Sequence, residues 1–199
     1  MNSAPPPRLI LASASPRRSD LLREAGYDFE IIKPKVEEIE DPAADVKTLT
    51  ALNARLKANK VVEFRKESVV LAADTLVLHG DMALGKPENE AEAAAMLARL
   101  SGGTHQVYTA VCLVRGATRQ TAEFTVTTEV TFKDLSPAKR TEYHRVIEPL
   151  DKAGAYAAQD SGSMIIERIV GSTSNIIGLP MEETSAVLKG EFGIVPQKG

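Results

Sequence analysis

A single cysteine, no tryptophan and few aromatic residues leave this 199-residue chain without the means of several protein classes. With only Cys112, set in the apolar run Val111-Cys112-Leu113-Val114, no disulfide framework can form, and a reducing interior fits better than a secreted setting. Cys112 itself reads as a small core residue rather than a nucleophile. Nowhere do about eighteen consecutive apolar residues occur, and no long apolar segment follows the start Met1-Asn2-Ser3-Ala4-Pro5-Pro6-Pro7. Neither a membrane span nor a signal peptide is predicted, and the expectation is a cytoplasmic protein. An excess of positive charge is missing too: the net charge is −3, which argues against coating nucleic acid by counterion release. No pair of the three histidines has metal-ligand spacing, and no serine, histidine and acid set assembles. The Gly-Lys-Ser/Thr phosphate loop and the dinucleotide-binding glycine pattern are both absent.

What is present is ordinary for a globular domain, with 43% hydrophobic and 26% charged residues, and one domain over residues 1–199 is expected with a flexible tail at 1–7. A short apolar run at 8–12 followed by turn residues and then Pro16 reads as strand, loop and helix, closed by Gly26. A second strand is predicted at 29–32. An amphipathic helix follows at 46–64, with Leu49, Leu52, Leu56 and Val61 or Val62 inward and Arg55, Lys57 and Lys60 on its polar face. The continuous run 69–73 suits a central strand that first turns polar at Asp74-Thr75, with a hairpin turn at His79-Gly80-Asp81. Asn89 and Glu92 form a capping-box pattern for a helix to Leu100, stopped by Gly102-Gly103. Alternating segments at 106–114 and 123–132 predict a β-hairpin, and Ser136-Pro137 begins a helix through Val146. A loop at 148–159, a strand at 164–170 and a helix from Pro180 complete the chain. Helices alternate with strands but include an antiparallel section, so the predicted class is α/β on a mixed sheet.

Ser13-Ala14-Ser15-Pro16-Arg17-Arg18 lies between a strand and a helix start, where backbone N–H groups and the helix dipole favour an anion. The alternative is a capped helix with a basic first turn; since positive charge there opposes the dipole, two arginines beside it ask for an anion. Asp74-Thr75, at the polar end of a buried strand, is a candidate ligand or water-orienting site, although a lone aspartate there is more often a turn residue. Glu37 and Glu38 add a second acidic pair, which read alone is a solvated loop, but Mg²⁺ is typically held by one or two carboxylates together with phosphates. Among the lysines, Lys86 is fixed between Gly85 and Pro87, whereas Lys57 and Lys152 carry no such local signal.

Together these stretches resemble the Maf family of nucleotide pyrophosphatases: LILASASPRRSDLL at 9–22, AADT at 72–75, GKP at 85–87, LSGGTHQVYTA at 100–110, PLDKAGAYAAQ at 149–159 and Gly178-Leu179-Pro180. The resemblance runs in the family's order from Arg8 to about Leu188. It implies a two-lobed α/β fold with an elongated mixed sheet flanked by helices and a central cleft, like inosine triphosphate pyrophosphatases, usually as a homodimer. The implied reaction converts a nucleoside triphosphate and water to the monophosphate and pyrophosphate, with Mg²⁺ or Mn²⁺. Matched residue by residue, the catalytic aspartate falls on Asp74, the phosphate-binding residues on Ser13, Ser15, Arg18, Lys57 and Lys86, and the acidic loop residue on Glu38, which with Asp74 is the candidate metal ligand. Leu56 departs from the pattern, since relatives often have a glutamate there. Arg17, Thr75 and Gln159 match the branch acting on dTTP, UTP and modified pyrimidine nucleotides. The branch acting on 7-methyl-GTP usually has tryptophan and glutamine in place of Arg17 and Thr75. A cationic 7-methylguanine ring is attracted by an aromatic face and repelled by arginine, whereas a pyrimidine offers carbonyl acceptors to Arg17, Thr75 and the Gln159 amide. Alternatives are a 7-methyl-GTP pyrophosphatase and a nucleotide-sensing regulator of septum formation. The expected partner is a pyrimidine nucleotide, with no nucleic acid and no membrane.

Overall fold

Strand β1, Leu9–Leu11, is wholly buried and sits between two parallel neighbours, β2 (Phe29–Ile31) and β3 (Val69–His79). A strand covered on both sides in this way needs an apolar run rather than an alternating one, which is what residues 9–12 supply. A computed structural model describes residues 7–41, 44–159 and 161–197, so the tail at 1–7 lies outside them apart from Pro7. The sheet has seven strands in the order β2-β1-β3-β5-β6-β7, with the short β4 (Met82–Leu84) paired antiparallel to β3. The remaining strands are β5 (Thr104–Arg115), β6 (Gln120–Phe132) and β7 (Ile166–Val170), the last antiparallel to β6. Parallel and antiparallel pairs together make the sheet mixed, and helices flank it, as expected.

The helices are α1 (Pro16–Glu24), α2 (Val46–Val62), α3 (Glu90–Leu100), α4 (Pro137–His144), α5 (Thr173–Ile177) and α6 (Met181–Phe192). Their starts follow the capping signals: Asp45, Asn89 and Ser136 each accept an N–H three residues on. Glu92 closes the α3 box one residue early, accepting the N–H of Glu88 rather than that of Asn89. The five-residue α5 carries no periodic pattern and was not expected.

The chain divides into two units. The first comprises Met1–Asp74, Ala110–Thr125 and Gly178–Gly199, and the second Thr75–Thr109 and Val126–Ile177. Small side chains of α2, among them Ala54 and Ala58, pack in the first unit against Ile10, Val70, Ala72 and Cys112. In the second, α3 packs through Ala93, Met96, Leu97 and Leu100 with Val107, Phe132 and Tyr156. No described helix is long and apolar enough to cross a membrane.

Two local expectations change. Lys57 lies on the buried face of α2, with Leu49, Asn53, Ala54, Ala58 and Val61, whereas Leu52 is exposed. Nor is Asp74 at the end of its strand, because β3 runs on to His79. The parallel pairing with β1 nevertheless stops at Leu11–Leu71, and β1 then turns away into the loop that leads to α1. Asp74 therefore lies just beyond the carboxyl end of β1, in the middle of a longer strand.

Candidate active site

The loop after β1 is stapled by a buried serine. Ser13 Oγ accepts the N–H of Ser15 at 3.1 Å and Arg18 Nη1 at 3.4 Å. Ser15 occupies the N-cap of α1 but makes no capping bond with its side chain, Pro16 contributes no N–H, and the first turn holds no acidic residue. The dipole of this helix start is thus unanswered by any carboxylate of its own first turn. Arg18 is aimed from its other side as well, since Nε donates to the main-chain oxygen of Gly178 at 2.8 Å. Gly178-Leu179-Pro180 thereby acquires a use that its sequence did not disclose.

Lys57 is only 8% exposed, and its ammonium bridges two carboxylates, Asp74 Oδ1 at 2.6 Å and Glu38 Oε1 at 3.0 Å. A lysine can lie on the inner face of a helix when its charge finds partners of this kind in place of water. Burial pushes the Asp74 carboxyl above its ordinary value; Lys57 and then Arg18 pull it back, while Glu38 adds to the rise. Burial likewise lowers Arg18, against the opposing charge of Asp74. Glu38 itself is exposed, and its place depends on a neighbour. Asn53, one turn before Lys57 on α2, accepts the N–H of Ile39 at 2.7 Å and donates to the Ile39 carbonyl at 3.1 Å. A buried amide on a helix face, matched to both polar groups of one loop residue, therefore sets the acidic loop beside the lysine.

Among the described residues no three His, Cys, Asp or Glu side chains gather for a metal. Asp74 and Glu38 form a purely oxygen donor pair, and Lys57 contacts one oxygen of each. Such a pair suits a hard divalent ion that completes its shell with phosphate oxygens and water.

The first unit thus assembles Ser13, Ser15, Arg17 and Arg18 on one loop and helix start, with Glu38, Lys57 and Asp74 in one charged cluster that includes Arg18. The other expected residues belong to three different elements of the second unit. Thr75 lies on β3, and its Oγ1 is 3.0 Å from that of Thr109. Lys86 is exposed between Gly85, whose carbonyl accepts the N–H of Gly154 at 3.0 Å, and the buried Pro87. Gln159 is half-buried, and its carbonyl accepts the N–H of Gly162 at 3.2 Å.

The family model described as Maf-like protein matches residues 8–191. A dTTP/UTP pyrophosphatase of Akkermansia muciniphila is 42% identical over 184 residues, covering 92% of this chain and 96% of that protein. One of Bacillus cereus is 42% identical over 187 residues, covering 94% and 96%. Another, of Caldicellulosiruptor bescii, is 42% identical over 186 residues, covering 92% and 94%.

Proposed function

The chain belongs to the Maf-like protein family, and from that premise we propose that it is a nucleoside-triphosphate pyrophosphatase hydrolysing dTTP and UTP to the monophosphate and pyrophosphate. The observation that carries the chemistry is the buried Lys57 ammonium between Asp74 and Glu38, two carboxylates that also feel the charge of Arg18.

In the proposed reaction a water oxygen bonds to the α-phosphorus as the bond to the α–β bridging oxygen breaks, and pyrophosphate leaves. Asp74 orients that water and takes its proton. Lys57 engages Oδ1, so the proton goes to Oδ2. Ser13, Ser15 and Arg18 bind phosphate oxygens; the planar guanidinium, aimed by Ser13 and Gly178, suits bidentate contact. Lys57 and Lys86 offset charge on the triphosphate and the leaving pyrophosphate. Glu38 and Asp74 are the residues we assign to Mg²⁺ or Mn²⁺, which when bound polarises the α-phosphoryl group. Arg17, Thr75 and Gln159 are assigned to the pyrimidine, and the assembly proposed is a homodimer, testable by light scattering.

Pyrophosphate release from dTTP, UTP, modified pyrimidine nucleotides, 7-methyl-GTP and ITP tests the reading. Divalent-ion-dependent turnover, fastest with dTTP and UTP, is expected. Preference for 7-methyl-GTP would overturn the base assignment, and turnover of none would overturn the activity.

A further inference from the structure

A short loop of the second unit is held in a conformation that its own residues do not favour. Gly154 and Ala155 both carry positive φ, 69° and 59°, and Ala155 is fully buried. At Gly154 the geometry demands glycine, since an added Cβ would come within 3.1 Å of Val77 Cγ2 and 3.4 Å of the Tyr156 ring. A left-handed alanine, by contrast, persists only where its surroundings over-determine it. Gly154 N–H donates to the Gly85 carbonyl at 3.0 Å, and Ala155 N–H to that of Lys152 at 3.1 Å. His144 Nε2 lies 3.2 Å from the Ala155 carbonyl, and because a carbonyl only accepts, that nitrogen carries the proton. His105 Nε2 is 2.9 Å from the Tyr156 hydroxyl.

Tyr143 holds the next residue. Its hydroxyl donates to the Ala157 carbonyl at 3.0 Å and accepts the Ala157 N–H at 2.9 Å, so one side-chain oxygen stands in for a neighbouring strand. Tyr143 is fully buried on α4, in the core of the unit. Phenylalanine would fill the same space, so packing does not require the oxygen. Burial pushes the phenol up to about 12, which keeps the donated proton in place at neutral pH. Both main-chain groups of Ala157 are thus tied to α4, two residues before Gln159.

We propose that Tyr143 is a specificity-determining positioning residue, holding Ala157 so that the Gln159 amide meets the base, an inference that rests on the reading above that Gln159 faces a pyrimidine. A glutamine side chain is flexible, and its amide discriminates between bases only when the backbone beneath it is already in place. Gly154 and Ala155 keep the turn by bonds of their own. Loss of the Tyr143 oxygen therefore loosens the end of the loop that carries Gln159 and spares the end joined to Gly85.

Tyr143→Phe removes only that oxygen, and a cooperative melt checks that the variant folds. Losing both bonds is expected to raise KM for dTTP, by up to roughly thirtyfold, with kcat unchanged. The Ki of inorganic tripolyphosphate, which has no base, is expected to keep its parental value. In a Gln159→Ala background the same change should add little further to KM, since the amide it positions is gone. An unchanged KM in Tyr143→Phe, a tripolyphosphate Ki that rises with KM, or effects that multiply in the double variant would overturn the proposal. So would an unprotected Ala157 amide in hydrogen exchange of the parent protein, a measurement independent of how any variant folds. Gln159→Ala with a parental KM would overturn the base assignment and the proposal with it. A parent enzyme that hydrolyses neither dTTP nor UTP would overturn the activity beneath both.

Discussion

Asn53→Leu removes both hydrogen bonds that hold the backbone of residue 39, and its effect can be followed from the loop to the chemistry. The two bonds, 2.7 Å to the N–H and 3.1 Å from the amide to the carbonyl, tie the acidic loop to α2. At about 1 kcal/mol each they contribute about 2 kcal/mol, since water can re-solvate Ile39 once the loop moves. That corresponds to roughly a thirtyfold gain in the population of the released loop. Hydrogen exchange at the Ile39 amide should accelerate by up to that factor while the melting transition stays cooperative. Glu38 would then leave Lys57 for a larger part of the time, so KM for dTTP at limiting Mg²⁺ should rise, by at most about thirtyfold, and should recover at saturating Mg²⁺. Unchanged exchange at Ile39 would refute the anchoring role. Faster exchange with unaltered kinetics would refute the link from loop to catalysis.

Asp74→Asn should still bind nucleotide but lose roughly 10²–10⁴-fold in kcat, as expected for a removed general base; near-normal turnover in a pyrophosphate-release assay would take Asp74 out of the mechanism. His105 tests the second unit. Burial, aided by His79, lowers its pKa from 6.5 to about 4. Between those values the unfolded imidazole binds a proton and the folded one does not, so stability is full above about pH 6.5 and falls as pH drops through the window. The loss should be about 2 kcal/mol by roughly pH 5, measured as the difference in urea unfolding between the parent and His105→Phe, and parallel pH profiles for the two would contradict it. Cys112 is buried, and burial together with the nearby Glu123 carboxylate pushes its thiol well up. Labelling by a thiol reagent should therefore track unfolding, and rapid labelling of the native protein would show the thiol to be accessible.

Much of the sheet and most helices were legible because their residues obey one rule at a time. Apolar 69–73 must be buried, Asn89 and Ser136 cap, and Pro16 opens a helix. The site was legible as a set of residue types and less so as a geometry. Lys57 reads as a solvent-facing lysine, since helical periodicity assigns charge to the outer face and is blind to carboxylates on the neighbouring loop and strand. The apolar pattern ends β3 too early for the same reason: Asp74 and Thr75 break it, yet each finds a partner elsewhere in the fold, in Lys57 and Thr109. Asn53 gave no signal, as an amide is indifferent to burial until its two partners are known. Gly178 was visible as part of a motif, but its contribution is a main-chain oxygen, which any residue possesses.

That oxygen is 160 positions along the chain from the guanidinium it steers. A nascent polypeptide emerged as far as residue 177 already contains Ser13, Arg18, Glu38, Asn53, Lys57 and Asp74, yet nothing of α6 or of the carbonyl that aims Arg18. Gln120 likewise waits for the Glu191 carbonyl, and the Gly26 carbonyl for the Gln197 amide. Synthesis order therefore delays a fully aimed site until the last segment has been made, so that a chain stalled late in translation would hold the charged cluster without its finished phosphate grip.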